Sequence, residues 1–346
     1  MKFPSLNGRT LSKNKSMAKH LLLVLLLALA SCTAWAGSVE LRRGDNQVEV
    51  LIDGRPFTTY YFDPTLAKPF LSPLRSAEGT ILTRRFPMQT DVPGEDHDEP
   101  HQRAMYFAHG DINGLDFWGE AAYPKWSHHS LSKFGRTVFR EIKAIASGPE
   151  TGMLRVTFDL VGADGTDIAE ESQLYVFRGD EHNRIIDCEF VIRANHGPVK
   201  LGDTKEGTFA IRVAKALDSP PAHIVNSKGA SGEKNVWGKQ AEWVDYYGKV
   251  GGEDVGIAIF DHPKNFCHPT YWHARGYGLF AANPFGLREF VHDRHKDGSY
   301  TIAADASLTL RYRVFIHHGD YRQAGVAEAY QQYASENEAQ IYVGRR

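Results

Sequence analysis

Cysteine is scarce in this chain, with three among 346 residues, at positions 32, 188 and 267. So few cannot staple a disulfide-dense scaffold. There is no surplus of positive charge either. Lys and Arg number 40 against 42 Asp and Glu, a formal charge of −2, so the footprint of a nucleic-acid binder is missing. No GxGxxG or GxxxxGK[ST] motif occurs, and strands do not alternate with helices, which excludes nucleotide-binding α/β folds. Gly-x-Ser-x-Gly is also lacking, so serine-hydrolase chemistry has no support. With no HExxH and no spaced Cys/His cluster, no cofactor is expected, and a bound metal is the minor alternative.

The one long apolar run, Leu21 to Ala30, has ten residues. A bilayer needs about 20. Lys13, Lys15 and Lys19 precede the run, and Ala34-Trp35-Ala36 follows it as a small-x-small cleavage pattern. We therefore expect an export signal over 1–36, with Met17 as an alternative start. Leu29-Ala30-Ser31-Cys32 offers a second reading, a lipoprotein signal over 1–31 with Cys32 acylated. Either cut removes Lys2, Arg9, Lys13, Lys15 and Lys19 and no acid, taking the formal charge from −2 to −7. The expected location is periplasmic or secreted, or the outer membrane for the lipoprotein. Nucleic acid is not an expected partner, and membrane contact is expected only through a lipid on Cys32.

What is plentiful is aromatic side chains (6 Trp, 15 Tyr, 19 Phe) and short alternating runs. Val39 to Phe62 holds two β-rich runs around Asp53-Gly54, a hairpin signal. Met153–Leu160, Ser172–Phe177, Arg184–Ala194, Gly207–Ala214, Val255–Phe260 and Ser307–Ile316 read as further strands. In Arg184–Ala194 the residues Ile186, Cys188, Phe190 and Ile192 share one face, which suits a buried free thiol at Cys188. Only Gln323 to Gln340 has helical composition. Nothing resembles a linker. The expectation is one all-β domain over 37–346, a large antiparallel β-sandwich with a C-terminal helix.

Polar chemistry concentrates in three segments. Glu95 to Glu120 carries His97, His101, Arg103, His109, Asp111, Asn113, Asp116 and Trp118. If 101–109 is a strand, His101, Arg103 and His109 face one way, and Asp111 joins them or orients an imidazole. The second segment, 267–286, crowds His268, Tyr271, Trp272, His273, Arg275, Tyr277 and Asn283 among Gly and Pro. Tyr and Trp present flat apolar faces with polar tips, suited to stacking on sugar rings. The third, 202–207, places Glu206 beside Gly207 at a strand entrance, with Arg212 on the same parity. His128-His129 and His317-His318 put neighbours on opposite strand faces, so neither pair chelates as a unit.

The segments HQRAMYFAHGDINGLDFW, KEGTFAIRV and FDHPKNFCHPTYWHARGYGLFAANPFG resemble the bacterial PmoA-like family over roughly Val39 to Tyr342. That uncharacterised family is often labelled "methane oxygenase PmoA" and is frequently found beside carbohydrate-degrading genes. Membrane methane monooxygenase subunits need several apolar spans, which this chain lacks. The resemblance implies a β-sandwich akin to the galactose-mutarotase-like supersandwich, a group in which His, Arg and acidic residues on a concave face act on sugars. The motifs do not match those of mutarotases residue by residue, so no catalytic role carries over.

These readings together predict an exported carbohydrate-active enzyme, a glycoside hydrolase or lyase on plant or algal glycans. A non-catalytic sugar-binding protein is the alternative. His101, His109, Asp111, Glu206 and His273 are the expected catalytic groups, with Glu206 or Asp111 as proton donor. Arg103, Asn113, Trp118, Arg212, Tyr271, Trp272, Arg275 and Asn283 are the expected substrate contacts. His101, Arg103, His109, His273 and Arg275 should converge on one concave pocket walled by Tyr271 or Trp272, with small neighbours (Ala104, Ala108, Gly110; Ala274, Gly276, Gly278) leaving room for a ligand.

Overall fold

The structure is a computed structural model that describes Met1, residues 38–123 and residues 130–336. The export or lipoprotein signal, Cys32 and the His128-His129 pair lie outside the described residues. The body is two eight-stranded antiparallel sheets. In spatial order the first runs β1 (Val39–Arg43), β2 (Gln47–Ile52), β3 (Arg55–Tyr61), β4 (Phe70–Leu71), β5 (Met105–His109), β11 (Gly207–Arg212), β16 (Leu279–Asn283) and β15 (Tyr271–Ala274). The second runs β12 (His223–Asn226), β13 (Trp243–Val250), β14 (Glu253–Asp261), β18 (Ser307–His318), β9 (Arg184–Arg193), β8 (Asp167–Gly179), β7 (Gly152–Val161) and β6 (Arg136–Ala146). A short ribbon pairs β10 (Val199–Leu201) with β17 (Tyr300–Ile302).

Strand parity builds the core. Met105, Phe107, Phe209, Ile211, Phe280 and Trp272 point from the first sheet into one buried cluster with Phe190, Tyr312, Val314 and Tyr246 of the second. Aromatic pairs fasten the layers, Phe107 on Phe190 at 4.1 Å and Phe209 on Tyr312 at 5.0 Å. Burying such rings removes apolar area from water and adds ring-to-ring attraction. Cys188 is buried in this core as a free thiol, and Cys267 is also free. The Asp53-Gly54 turn is real, with φ of 52° and 72° closing β2 on β3. A separate apolar cluster beneath the helix Val326–Ser335 covers the outer face of the second sheet through Tyr330, Tyr333, Phe260 and Phe315.

Three expectations change. The segment Val39 to Phe62 holds three strands, because β1 pairs with β2 ahead of the expected hairpin. The C-terminal helix is Val326–Ser335, shorter than 323–340 at its start because Gly325 takes a left-handed conformation just before it. The strand expected over 101–109 begins only at Met105; His101 and Arg103 sit in the irregular chain before it, so the two-residue periodicity does not bind them to His109.

Candidate functional site

The outer face of the first sheet carries the candidate site. Register places Tyr106 opposite Ala210, Ala210 opposite Ala281, and Ala281 opposite His273. These four residues form one row across β5, β11, β16 and β15. Tyr106 and His273 are three strand spacings apart, about 14 Å. Between them stand only methyl groups. Ala108, Ala210 and Ala281 belong to a small outer-face cluster with Phe70, Tyr106, Trp118 and Leu279. The floor is flat because alanine is the largest side chain in its centre.

Two carboxylates guard the rim. Glu206 precedes β11, and its side chain is 34% exposed; Glu99 is 33% exposed. Gly110 makes room for Glu206: a Cβ there would stand 2.9 Å from the Glu206 Cβ. Burial by itself would raise the Glu206 carboxyl, but His273 and then Lys205, whose ammonium is 2.8 Å away, hold it below the ordinary value. Glu99 moves the other way: burial, the Asp98 carboxylate and Glu206 itself raise it. Glu99 also holds a left-handed backbone, φ 40°, unusual for a non-glycine residue. The two carboxyls are therefore shifted apart, Glu206 downward and Glu99 upward.

Imidazoles stand beside each. His101 Nε2 lies 3.4 Å from Glu99 Oε2, and burial followed by the Lys68 cation lowers His101 to about 3. His273 donates from Nδ1 to the Lys205 carbonyl at 3.0 Å, leaving Nε2 with its lone pair. Burial, against the pull of Glu206, lowers His273 to about 4. Both rings are neutral at physiological pH, and both feel the Glu206 charge.

The segment 84–104 folds over this face. Arg212 donates to Gln102 Oε1 at 2.6 Å and reaches Asp98 at 3.3 Å, with its guanidinium 4.5 Å over the Tyr277 ring. Next to the floor a buried charge triad forms: Arg103 grips Glu120 with two bonds of 3.0 and 2.8 Å, and Lys68 joins at 3.1 Å while donating to the Trp118 carbonyl. Three buried polar atoms of this face have no protein partner: Tyr106 Oη, Thr208 Oγ1 and Trp118 Nε1. Thr208 shares the parity of Ala210 on β11, and the Tyr106 and Trp118 rings meet at 5.0 Å. Buried polar groups are normally satisfied, and these three on one sheet face keep their hydrogen-bonding capacity free of protein partners.

The expected residues sort unevenly. His101, Glu206, His273 and Arg212 meet at this face, with Trp118 in its floor. Arg275 stands at its edge, 5.5 Å over Tyr277 and paired with Glu233 at 3.2 Å. Arg103 adjoins the floor but is engaged by Glu120. His109 does not join them. On β5 it shares the parity of Phe107, so it lies on the core side, edge-on to Phe285 at 5.2 Å and donating to the Gly202 carbonyl. Asp111 caps a turn by accepting from Gly114 N, and its side chain packs on Gly202. Asn113 and Asn283 clamp backbone, the first accepting from Lys200 N and the second donating to the Thr204 carbonyl. Trp272 is wholly in the core, donating to the Ala241 carbonyl. Tyr271 shares the strand face of His273 but lies beyond the floor row, stacked on Phe290 at 5.7 Å.

Glu206 and Arg212 share parity but do not pair, since six residues of strand separate them by about 20 Å. Gly276 is small for packing, because a Cβ there would meet the Ser219 carbonyl at 2.7 Å, and Gly278 holds a turn at φ 94°. Glu99, Tyr106 and Thr208 were not expected as site residues. Glu99 had only its place in the polar segment as a signal. Among the described residues, no three His, Cys, Asp or Glu side chains cluster to hold a metal ion.

Fold and site together define an antiparallel two-sheet β-sandwich with a paired-carboxylate, histidine-flanked site on one outer face. The chain matches the family of unknown function DUF6807 over residues 47–331 and belongs to that family. No curated protein matches it. Among solved structures it is similar to a galactose mutarotase-like protein from Clostridium acetobutylicum, at 12% identity and TM-score 0.40, covering 81% of this chain and 98% of that one. It is also similar to the GH36 α-galactosidase AgaB from Geobacillus stearothermophilus, at 10% identity and TM-score 0.44, covering 87% of this chain and 44% of that one. A glycoside hydrolase family 97 enzyme from Pseudoalteromonas sp. strain K8 shows 8% identity and TM-score 0.32 over 81% of this chain and 34% of that one. The chain thus spans less than half of either hydrolase. No site residue is transferred from these structures.

Proposed function

We propose that this protein is an exported carbohydrate-active enzyme that cleaves glycosidic bonds by acid–base catalysis between Glu99 and Glu206. The observation that carries the reading is the opposed shift of these two rim carboxylates above one floor. Glu99 donates its proton to the glycosidic oxygen as the bond from the anomeric carbon breaks. Glu206, ionised, either activates a water or attacks the anomeric carbon, and water completes hydrolysis. His101 positions Glu99, and His273 flanks Glu206. Tyr106, Thr208 and Trp118 supply the hydrogen bonds that a hydroxyl-rich ring needs.

The resemblance of three motifs to PmoA-like proteins supports the same reading, since that family occurs beside carbohydrate-degrading genes. A lyase is less well supported, because burial raises both Tyr106 and Tyr277 and so disfavours the phenolate that would take the proton. Export rests on the apolar run and its cleavage pattern, and intact-mass analysis of protein from native host cells distinguishes a start after Ala36 from an acylated Cys32.

The deciding experiment incubates purified mature protein with a panel of glycans and aryl glycosides and weighs the products. Hydrolysis adds the elements of water, and elimination does not. Glu206→Gln should abolish the product on every substrate and Glu99→Gln on the glycans, both variants melting normally. Sugar binding without product from the wild type would replace this reading with that of a binding protein.

A further inference from the structure

Beside the candidate site, past edge strand β15, lies a cavity of about 490 Å³. That volume lies within the range of sites for small organic ligands, about 300–1,000 Å³. Tyr271 and His273 are two residues apart on β15, so they share a face and stand about 7 Å apart. Tyr271 lines the cavity, and His273 belongs to the floor row. Aromatic contacts join the two places: Trp237 is edge-on to His273 at 6.4 Å and to Phe290 at 5.5 Å, and His292 stacks on Trp237 at 5.4 Å.

The lining has one sign of charge. Lys228 and Lys239 border the cavity together with His292, and no Asp or Glu does. The chain as a whole has more acids than bases, so this local excess runs against its composition. Neither lysine makes an ion pair among the described residues. Asn235 and Gln240 donate to the carbonyls of Ser231 and Pro269 at 2.9 and 2.8 Å, which leaves the oxygen of each amide to accept from hydroxyls. The Tyr271 ring, nearly parallel to Phe290 at 18°, presents a flat apolar face. His292 holds its ring over Trp237 from a left-handed backbone, φ 53°, and Val291 on the rim is one of the few large apolar side chains exposed among the described residues.

We propose that this cavity is a subsite for a negatively charged sugar unit, a uronate or a sulfate ester, adjoining the Glu99–Glu206 centre. The ring stacks on Tyr271, its hydroxyls meet Asn235 and Gln240, and its anion faces Lys228 and Lys239. Lysine, a compact point charge, suits an anion presented at varying angles. The inference rests on the carbohydrate reading above and narrows its substrate class to acidic glycans.

The test uses the full mature chain carrying Glu206→Gln, which binds without turnover. Three oligosaccharides of equal length, a uronate, a sulfated and a neutral one, are titrated by calorimetry and by tryptophan fluorescence at low and high salt. An acidic ligand should bind about tenfold tighter than the neutral one at low salt, the size expected of two exposed charge pairs. Lys228→Met with Lys239→Met should bring that ratio close to one without changing the melting temperature, and Trp237→Phe should remove most of the fluorescence change. The uronate and sulfate arms tell which anion is meant. Equal affinity for charged and neutral ligands, or an acidic preference untouched by the lysine replacements, overturns the subsite and leaves the carbohydrate reading standing. Binding of none of the three overturns both.

Discussion

Glu99 and Glu206 are shifted in opposite directions: burial, then the Asp98 carboxylate and the Glu206 charge, raise Glu99, while His273 and Lys205 lower Glu206 against its own burial. Two carboxyl groups of the same intrinsic strength are thereby shifted in opposite directions on one sheet face. The pH dependence of turnover follows from this. Activity should be lost at low pH as Glu206 protonates, below the ordinary carboxylate range, and at higher pH as Glu99 loses its proton, above that range. The kcat/KM profile should be bell-shaped, and it can be recorded on whichever panel substrate is cleaved. A substrate whose leaving group needs no proton should restore activity to Glu99→Gln and flatten the alkaline limb. An alkaline limb unchanged in that variant would remove Glu99 from the mechanism.

Glu120 lies between two buried cations, Lys68 and Arg103. Those cations hold its carboxyl at about 2 in spite of burial. Glu120→Gln should therefore destabilise the protein by about 3–5 kcal/mol, the cost of stranding buried charge. Adding Lys68→Met should recover part of that loss, because one of the stranded cations is gone. Urea unfolding of the three proteins measures both effects.

His109 was expected to act on substrate, and its place on the core side reverses that expectation. His109→Ala should cost about 2–4 kcal/mol, by emptying space against Phe285 and leaving the Gly202 carbonyl without its donor. Chemical denaturation is the measurement. A fully stable but inactive variant would return the residue to the site.

Glu171 is buried inside the sandwich, where Gln173 donates to it at 2.6 Å and burial raises its carboxyl to about 7. Its folded value lies above the unfolded value of about 4.5. The unfolded chain thus releases this proton first, and stability falls as pH rises from about 4.5 through about 7. The loss, about 3 kcal/mol at full ionisation, should vanish in Glu171→Gln. Comparing the urea midpoints of wild type and variant at pH 5 and pH 8 checks the sign as well as the size.

The sequence by itself determined the all-β architecture, the buried thiol at Cys188, the Asp53-Gly54 turn and the C-terminal helix. Alternation with period two and turn chemistry are local, and residues a few positions apart fix them. It also brought forward His101, Glu206, Arg212 and His273, because polar side chains beside small residues are conspicuous in a chain. Which of them meet was settled by strand order. Placing β11 between β5 and β16 aligns Tyr106, Ala210 and the Ala281–His273 hairpin pair from three distant segments, and no spacing within one segment encodes that row. The same register turned His109 inward, one residue from the outward-facing Ala108, since neighbouring strand positions face opposite ways. The roles of Glu99 and Glu206 were equally beyond local reading. A carboxyl group's proton affinity is set by what burial and the tertiary fold bring within a few ångströms of it.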